Sequence, residues 1–442
     1  MTSAPPQQGR PSRETKHFVF VESNTTGTGQ IAVQRLLSAG NAVTFMTRSR
    51  AKYTFLGDGL AGLRIRDVET NDAGRVVAAL RETQARMDVD AVLTFSDFYV
   101  DTVAEAAARC GLRGLDPCAS RTCRDKYLTR CALRAAGLLT PRFWLVCSSR
   151  EARRVAGRVR YPCVVKPPTD SSSHGVRMVA SPEELLDHYR VIRGWGENVR
   201  GQRLDGHVLV ESLVEGPEYS VETLSRADGS VQVVGVTDKH LSDPPHFVEL
   251  GHDFPSGADE SIRRALEEAT LRALAAVRFD FGPAHTELRW TAAGPVVIEI
   301  NGRLAGGMIP ELVRYATGID LLGAWFDLLL GRPAPLTPSH AHVASIRFLT
   351  AAYGGRLADV TGIAEAYALG TIREVMVTGR VGARVRPAED AYDRLGFVIG
   401  SGVDRAQVVR DVAAAAATIR LEVDDCRPAE ALRSIGARLP GA

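Results

Sequence analysis

Lysine is scarce in this chain. Of 54 basic residues only five are lysines: Lys16, Lys52, Lys126, Lys166 and Lys239. Arginine serves almost everywhere else, so a lysine that persists marks a place where the planar guanidinium fork does not fit and a compact charge is wanted, as beside a phosphate. Lys16, in a polar N-terminal stretch, carries no such expectation. Charge of one sign is also lacking: 52 acidic residues nearly cancel the 54 basic ones, which points to neither nucleic acid nor an anionic membrane as partner. No uninterrupted apolar run approaches the roughly 18 residues of a membrane span. The opening "MTSAPPQQGRPSRETKH" holds no apolar segment for a signal peptide and reads as a disordered tail. The seven cysteines (110, 118, 123, 131, 147, 163 and 426) contain no CxxC pair. That excludes a disulfide framework and a cysteine zinc site, and leaves reduced thiols in a cytoplasm. No lysine follows a glycine, so the GxxxxGK[ST] phosphate loop is absent.

What is present is the composition of a globular protein, 45% hydrophobic and 24% charged, in a length suited to about three domains of roughly 150 residues. From His17, "HFVFVES" reads as a buried strand, "NTTGTG" as a turn and "QIAVQRLLSAG" as an amphipathic helix; "AVTFMTR" and "AVLTFSD" read as further strands with helices between. Strands alternating with helices predict a parallel α/β sheet over 17–115. The TGTG turn lacks the third glycine of a dinucleotide loop, so a ligand-binding turn is the better expectation than a nicotinamide site. The remaining boundaries expected are 116–207, 208–338 and 339–424, between tails at 1–16 and 425–442. In the last of these, "HVASIRFLTA" and "IREVMVTG" read as strands, and Asp404 caps an Ala-rich helix.

Four stretches carry chemistry. In "SRTCRDKYLTR", Ser120 or Thr122 is expected to cap a helix running to Gly137, which puts Lys126 in a first turn where the helix dipole gives a cation no support. "YPCVVKPPTDSSSHGVRMV" ends a strand at Lys166 and continues into a Ser- and Gly-rich loop whose backbone N–H groups can approach an anion. "HVLVESLVEGPEYSVETL" is a strand, a Gly216-Pro217 hinge and a second strand, with Glu211 and Glu218 on either side. A nucleotide base could lie against such a hinge while a carboxylate accepts the ribose hydroxyls. Finally, "GPAHTELRWTAAGPVVIEINGRLAGG" reads as a hairpin followed by an arginine and glycines. Residues two apart on a strand share a face, so Glu299 and Asn301 converge while Ile298 and Ile300 pack the other way, with Glu287 as a cross-strand neighbour. Two carboxylates and an amide oxygen on one face repel unless a cation sits between them, and hard oxygen donors suit Mg²⁺.

This series resembles the ATP-grasp carboxylate–amine ligases, in the family's order, over roughly residues 20 to 335. It is most similar to L-amino acid ligases and antibiotic-pathway peptide ligases, because 340–425 resembles their extra C-terminal domain. The resemblance implies an α/β ATP-grasp fold: a Rossmann-like N-terminal domain, two subdomains clamping the nucleotide (116–207 with the phosphate loop, 208–338 with hinge and metal residues) and a C-terminal α+β domain. It further implies that Lys126 and Lys166 hold nucleotide phosphates, with Ser172, Ser173, His174 and Gly175 in the loop that closes over them. Glu211, Leu213 and Val214 match the adenine hinge and Glu218 the ribose carboxylate. Lys239 matches a third phosphate-contacting lysine, and Arg303 the arginine that stabilises the transferred phosphoryl. Glu287, Glu299 and Asn301 match ligands for two Mg²⁺ ions, with Mn²⁺ as a substitute. Glu249 and His252, in "HFVELGHDFPS", match the segment that meets the substrate ammonium, and Gly306 and Gly307 let the backbone approach the substrate. His174 departs from the small or apolar residue of many relatives, and an outward orientation is the expectation for it.

The implied chemistry is transfer of the γ-phosphoryl of ATP to a carboxylate, attack of an amine on the acylphosphate, and release of ADP and phosphate, all on small-molecule substrates. A homodimer, the form of many relatives, stays open. So do two other readings: an ATP-grasp carboxylase activating bicarbonate, and a non-catalytic ATP-binding protein. The second would be expected to have lost metal ligands, which are present here.

Overall fold

A computed structural model describes residues 15–25, 27–57 and 60–424. Residues 1–14 and 425–442 of the expected tails, with Cys426, lie outside the described residues. Lys16 does not: its ammonium lies 3.3 Å from Asp90 Oδ1 and its N–H donates to Asn41, so this lysine anchors the first strand.

Strands β1 (His17–Val21), β2 (Ala42–Thr47), β3 (Leu63–Asp67) and β4 (Ala91–Leu93) form a parallel sheet in the order β3-β2-β1-β4. Alternate residues of β1 serve opposite faces. Phe18 and Phe20 pack with Ala32, Val33 and Leu36 of the helix Thr28–Ser38, whereas Val19 and Val21 pack with Val76, Val77 and Leu80 of the helix Ala73–Arg86. Burial on both faces explains the continuous apolar run of this strand. Gly27, Thr28 and Gly29 follow β1 at the carboxyl end of the sheet, where open α/β sheets bind ligands. The edge strand β3, "LRIRD", has no clear signal in the sequence because its arginines alternate with only two apolar residues.

The single helix expected after residue 120 is two helices, Pro117–Arg124 and Lys126–Ala135, and the caps are Asp116 and Asp125 instead of Ser120 or Thr122. Asp125 leaves the helical conformation, and its carboxylate accepts from the N–H groups of Tyr127 and Leu128. This break starts a new helix at Lys126. A second sheet, antiparallel, comprises β5 (Phe143–Val146), β6 (Cys163–Lys166), β7 (Arg177–Val179) and β8 (Val208–Ser212) in the order β5-β8-β6-β7. The segment around Arg200 joins it to the N-terminal domain, where the Arg200 side chain donates to Ser23 O and its carbonyl accepts from Arg48 and Asn71.

The remaining strands are β9 (Glu218–Ser225), β10 (Val231–Leu241), β11 (Glu249–Phe254), β12 (Gly282–Thr291), β13 (Gly294–Asn301), β14 (Val343–Thr350), β15 (Gly355–Thr361), β16 (Ile372–Val377), β17 (Arg384–Val385), β18 (Arg394–Gly402) and β19 (Arg420–Asp424). Eight of them make one antiparallel sheet, β13-β12-β9-β10-β11-β14-β18-β16, and three a small one, β17-β15-β19. The large sheet crosses the division expected at residue 338, because β14 pairs with β11. As a result β18 lies near β11, so residues near 390 can reach the middle of the chain. Since β8 and β9 belong to different sheets, 213–217 is a link between two layers. Asp404 caps the helix Arg405–Thr418 as expected. No described helix is long and apolar enough to cross a membrane.

Candidate active site

A cleft of about 780 Å³ lies between the β5–β8 sheet and the end of the large sheet. Lys166, the last residue of β6, sits on its wall with its ammonium 2.6 Å from Glu211 Oε2, while Arg130 Nε lies 2.6 Å from Glu211 Oε1. Burial opposes the charge on Glu211, but Arg130 and Lys166 hold the carboxyl down at about 2. Glu211, expected at a base-binding hinge, thus faces two cations and fixes Lys166. Arg130 is fully buried and also donates to Ile298 O at 2.8 Å, tying the helix to β13. Sequence reasoning missed Arg130. In a chain so rich in arginine, a fully buried one gives no compositional signal.

Leu213 and Val214 line the cleft as expected. Arg289 on β12 donates to Val214 O at 2.7 Å and to Glu218 Oε2 at 2.9 Å, and its guanidinium lies 5.0 Å from the Phe247 ring. One arginine therefore sets both the link backbone and the Glu218 carboxylate. Opposite them stands Ile298, which corrects the expected alternation. Glu287 pairs with Glu299, yet Leu288 pairs with Val297, so a β-bulge leaves Ile298 without a partner. The extra residue turns Ile298 to the cleft beside Glu299, while Val297 and Ile300 enter the core.

Ser172, Ser173, His174 and Gly175 close one side of the cleft. Ser172, Ser173 and Gly175 have φ of 63°, 59° and 72°, left-handed values that the two serines adopt only against strain. A Cβ on Gly175 would come within 2.6 Å of the Trp195 ring, so glycine is required there. His174 does not point away: its Nδ1 lies 2.8 Å from Asp170 Oδ2 and its ring stacks on Trp195 at 4.5 Å. The hydrogen bond to Asp170 raises its pKa above the ordinary histidine value. Ser172 O accepts from Ala391 N at 3.3 Å, which fastens the loop to the C-terminal segment.

A second cavity, of about 770 Å³, adjoins the first. The two share Ser171, Ser172, Ser173, Glu218, Phe247, Glu287 and Glu299, so three glutamates stand in the common wall. Lys126 reaches Glu299 at 2.9 Å and Asp170 O at 2.7 Å. Lys239, 1% exposed in its side chain, lies 2.9 Å from Glu218, 2.9 Å from Glu249 and 3.0 Å from Glu287. Burial opposes its charge, but Glu249, Glu287 and Glu218 together raise its pKa well above the ordinary value. Asn301, Arg303, Gly306 and Gly307 line the same cavity. Arg303 lies 3.6 Å from Asp97, which also binds Arg124 at 2.8 Å.

Glu249 and His252 belong to strand β11 and also face this cavity. His252 is 1% exposed, neither ring nitrogen has a hydrogen-bond partner, and burial pushes its pKa down to about 3, so the ring is neutral. A Cβ on Gly307 would lie 2.5 Å from His252 Nε2, so a side chain there would displace the ring. Arg394 of β18 completes the wall, 2.8 Å from Glu249 and 3.9 Å above the Phe348 ring. It too was missed, because its relation to Glu249 exists only through the pairing of β18 with β14 and of β14 with β11.

Every residue expected to touch ATP, metal or substrate, apart from Gly175, thus lines one of two cavities with a shared acidic wall. The model of the ATP-grasp domain matches residues 159–311, and that of L-amino acid ligase C-terminal domain 2 matches 347–424. This chain belongs to the ATP-grasp superfamily. An uncharacterized protein of Sinorhizobium fredii, y4rH, is 31% identical over 78% of this chain and 70% of its own length. The alanine–anticapsin ligase of Bacillus subtilis is 25% identical over 59% of this chain, which spans 58% of that protein. Among solved structures, the L-amino acid ligase of Bacillus licheniformis superposes with a TM-score of 0.79 at 22% identity, covering 94% of this chain and 100% of that one. The ATP-grasp fold expected from the sequence is borne out. ATP-grasp enzymes use ATP and Mg²⁺.

Proposed function

We propose that this ATP-grasp enzyme joins a carboxylate, of an amino acid or related acid, to an amine through an acylphosphate, releasing ADP and phosphate. The observation that carries the reading is the shared wall. A nucleotide in the first cavity and a substrate in the second would meet across Glu287 and Glu299. In this reading Leu213, Val214 and Ile298 flank the base, Glu218 accepts the ribose hydroxyls, and Lys126 and Lys166 hold the phosphates under the 172–175 loop.

Glu287 and Glu299 occupy directly paired positions and Asn301 lies two residues on, a set of hard oxygen donors that fits Mg²⁺. When bound there, magnesium would neutralise phosphate charge and align the γ-phosphoryl with its acceptor. Lys126 and Lys239 answer these carboxylates in the structure and would turn to phosphate oxygens when the nucleotide binds.

A carboxylate needs activation because oxide is a poor leaving group. Phosphoryl transfer asks chiefly for position and charge neutralisation, which Lys239 and Arg303 would supply from the wall of the second cavity. Glu249 would hold the substrate ammonium, with the neutral His252 beside it in the same wall. The Ser172–Gly175 loop, fastened at Ala391, keeps water from the acylphosphate.

Nucleotide product analysis tests this. The protein is incubated with ATP and Mg²⁺ across pairs of amino acids and small carboxylates, and ADP, AMP and phosphate are read. ADP and phosphate that depend on both an acid and an amine are expected. AMP with pyrophosphate would replace the acylphosphate by an adenylate, and ADP that responds only to bicarbonate would make the enzyme a carboxylase.

A further inference from the structure

A third cavity, of about 1250 Å³, opens off the second through Gly307, Ala391 and Arg394, which line both. It lies between the TGTG turn and the chain from 376 to 397, and nothing in the proposed chemistry uses it. Its charged lining is of one sign. Arg380, Arg384 and Arg394 face it, and no Asp or Glu does. Arg394 is answered by Glu249; among the described residues neither Arg380 nor Arg384 has a hydrogen bond or ion pair from its side chain. The opposite wall also favours an anion. The helix Thr28–Ser38 begins at Gly27, which has no side chain to cap it; Asn24 Oδ1 accepts from Gly29 N–H at 2.9 Å, and Asn24, Gly27 and Thr28 line the chamber. Thr28 is 3% exposed, and its hydroxyl has no partner. A helix start concentrates partial positive charge and unpaired donors. Met308 and Phe348 lie between the two walls.

We propose that this chamber seats the anionic end of one of the two substrates, a carboxylate or phosphoryl group remote from the bond being made, with its carbon stem against Met308 and Phe348. The inference rests on the ligase reading for the reaction and adds the class of one substrate: an acid or amine whose side chain carries a negative charge. The physical ground is the imbalance of charge. Two arginines without protein counter-ions and the positive end of a helix around one space favour an anion there, and a charge-assisted contact discriminates against a neutral isostere.

The test compares isosteric pairs as co-substrates in the ADP-release assay: L-glutamate with L-glutamine, L-aspartate with L-asparagine, O-phospho-L-serine with L-serine. Each is assayed with the wild type and with the double variant Arg380→Glu/Arg384→Glu. Both arginines are exposed, so the reversal leaves the core intact. At least one anionic member should exceed its neutral partner in kcat/KM by about tenfold. The variant should abolish that advantage through KM while KM for ATP is unchanged. Preference for glutamate or aspartate assigns a carboxylate, and preference for phosphoserine assigns a phosphoryl group. Equal use of neutral isosteres, or an advantage that survives charge reversal, overturns the proposal. If no pair releases ADP, equilibrium binding of glutamate and phosphoserine decides the chamber independently of the reaction: binding lost in the variant supports it, and no binding to the wild type overturns it.

Discussion

Lys239 lies 3.0 Å from Glu287, and the same ammonium touches Glu218 and Glu249. These residues come from four strands that are adjacent in the large sheet, β12, β9, β10 and β11. One cation therefore links the groups assigned to ribose, metal and substrate. Lys239→Met would leave three carboxylates without it, and removing one partner of a buried ion pair costs roughly 3 kcal/mol or more. Urea unfolding should show that loss in metal-free buffer. Because Mg²⁺ on Glu287 would replace part of the missing charge, adding it should narrow the gap between variant and wild type. A gap indifferent to Mg²⁺ would argue that no ion shares these carboxylates.

Glu299 stands directly across from Glu287 and is paired with Lys126 at 2.9 Å. Glu299→Gln keeps the shape and removes the charge. Mutating groups that merely support a metal ligand costs about 10- to 100-fold, so loss of the ligand itself should lower ADP formation by more than about a hundredfold. The protein should still fold, since Gln keeps the volume. Undiminished ADP formation would withdraw the metal assignment.

Glu211 gives a prediction in pH. Its carboxyl is held at about 2 by Arg130 and Lys166 against the effect of burial, compared with about 4.3 in an unfolded chain. A depressed carboxyl contributes stability that is fully present above the unfolded value and lost as pH falls toward the folded one. Urea midpoints of the wild type should therefore drop between about pH 4.3 and 2 more steeply than those of Glu211→Gln, which has no proton to take up there. Parallel slopes would mean that Glu211 is not held as a charged group.

The rarity of lysine makes much of the site legible in the amino-acid sequence. Lys126, Lys166 and Lys239 stand out against arginine, and the spacing of Glu287, Glu299 and Asn301 places them on two paired strands. Arginine is illegible for the converse reason. Arg130, Arg289 and Arg394 fix Glu211, Glu218 and Glu249, yet nothing in the sequence separates them from surface arginines, because their partners are distant in the chain. Helix division is hidden as well. Asp125 and Lys126 fall inside one continuous polar pattern, and only the side-chain cap at Asp125 reveals the break. The parallel N-terminal sheet is readable from its apolar strands. That β14 continues the sheet of β11 is not, since strand order between distant segments leaves no local mark.

Ile298 shows the same limit in a single residue and yields the last prediction. Strict alternation buries it with Ile300, but the bulge opposite Glu287 and Leu288 turns it into the cleft, facing the Leu213–Val214 link. Its carbonyl accepts from Arg130, a bond that a side-chain substitution leaves in place. Ile298→Ala should therefore spare the fold and remove apolar contact with the base. A missing methylene in a binding pocket is worth about 1–3 kcal/mol, so KM for ATP should rise by about tenfold or more with little change in kcat. Steady-state kinetics with ATP as the varied substrate separate the two constants. An unchanged KM would mean that the base does not lie against Ile298, and a fall in kcat alone would mean that the bulge serves the geometry of Glu299 instead.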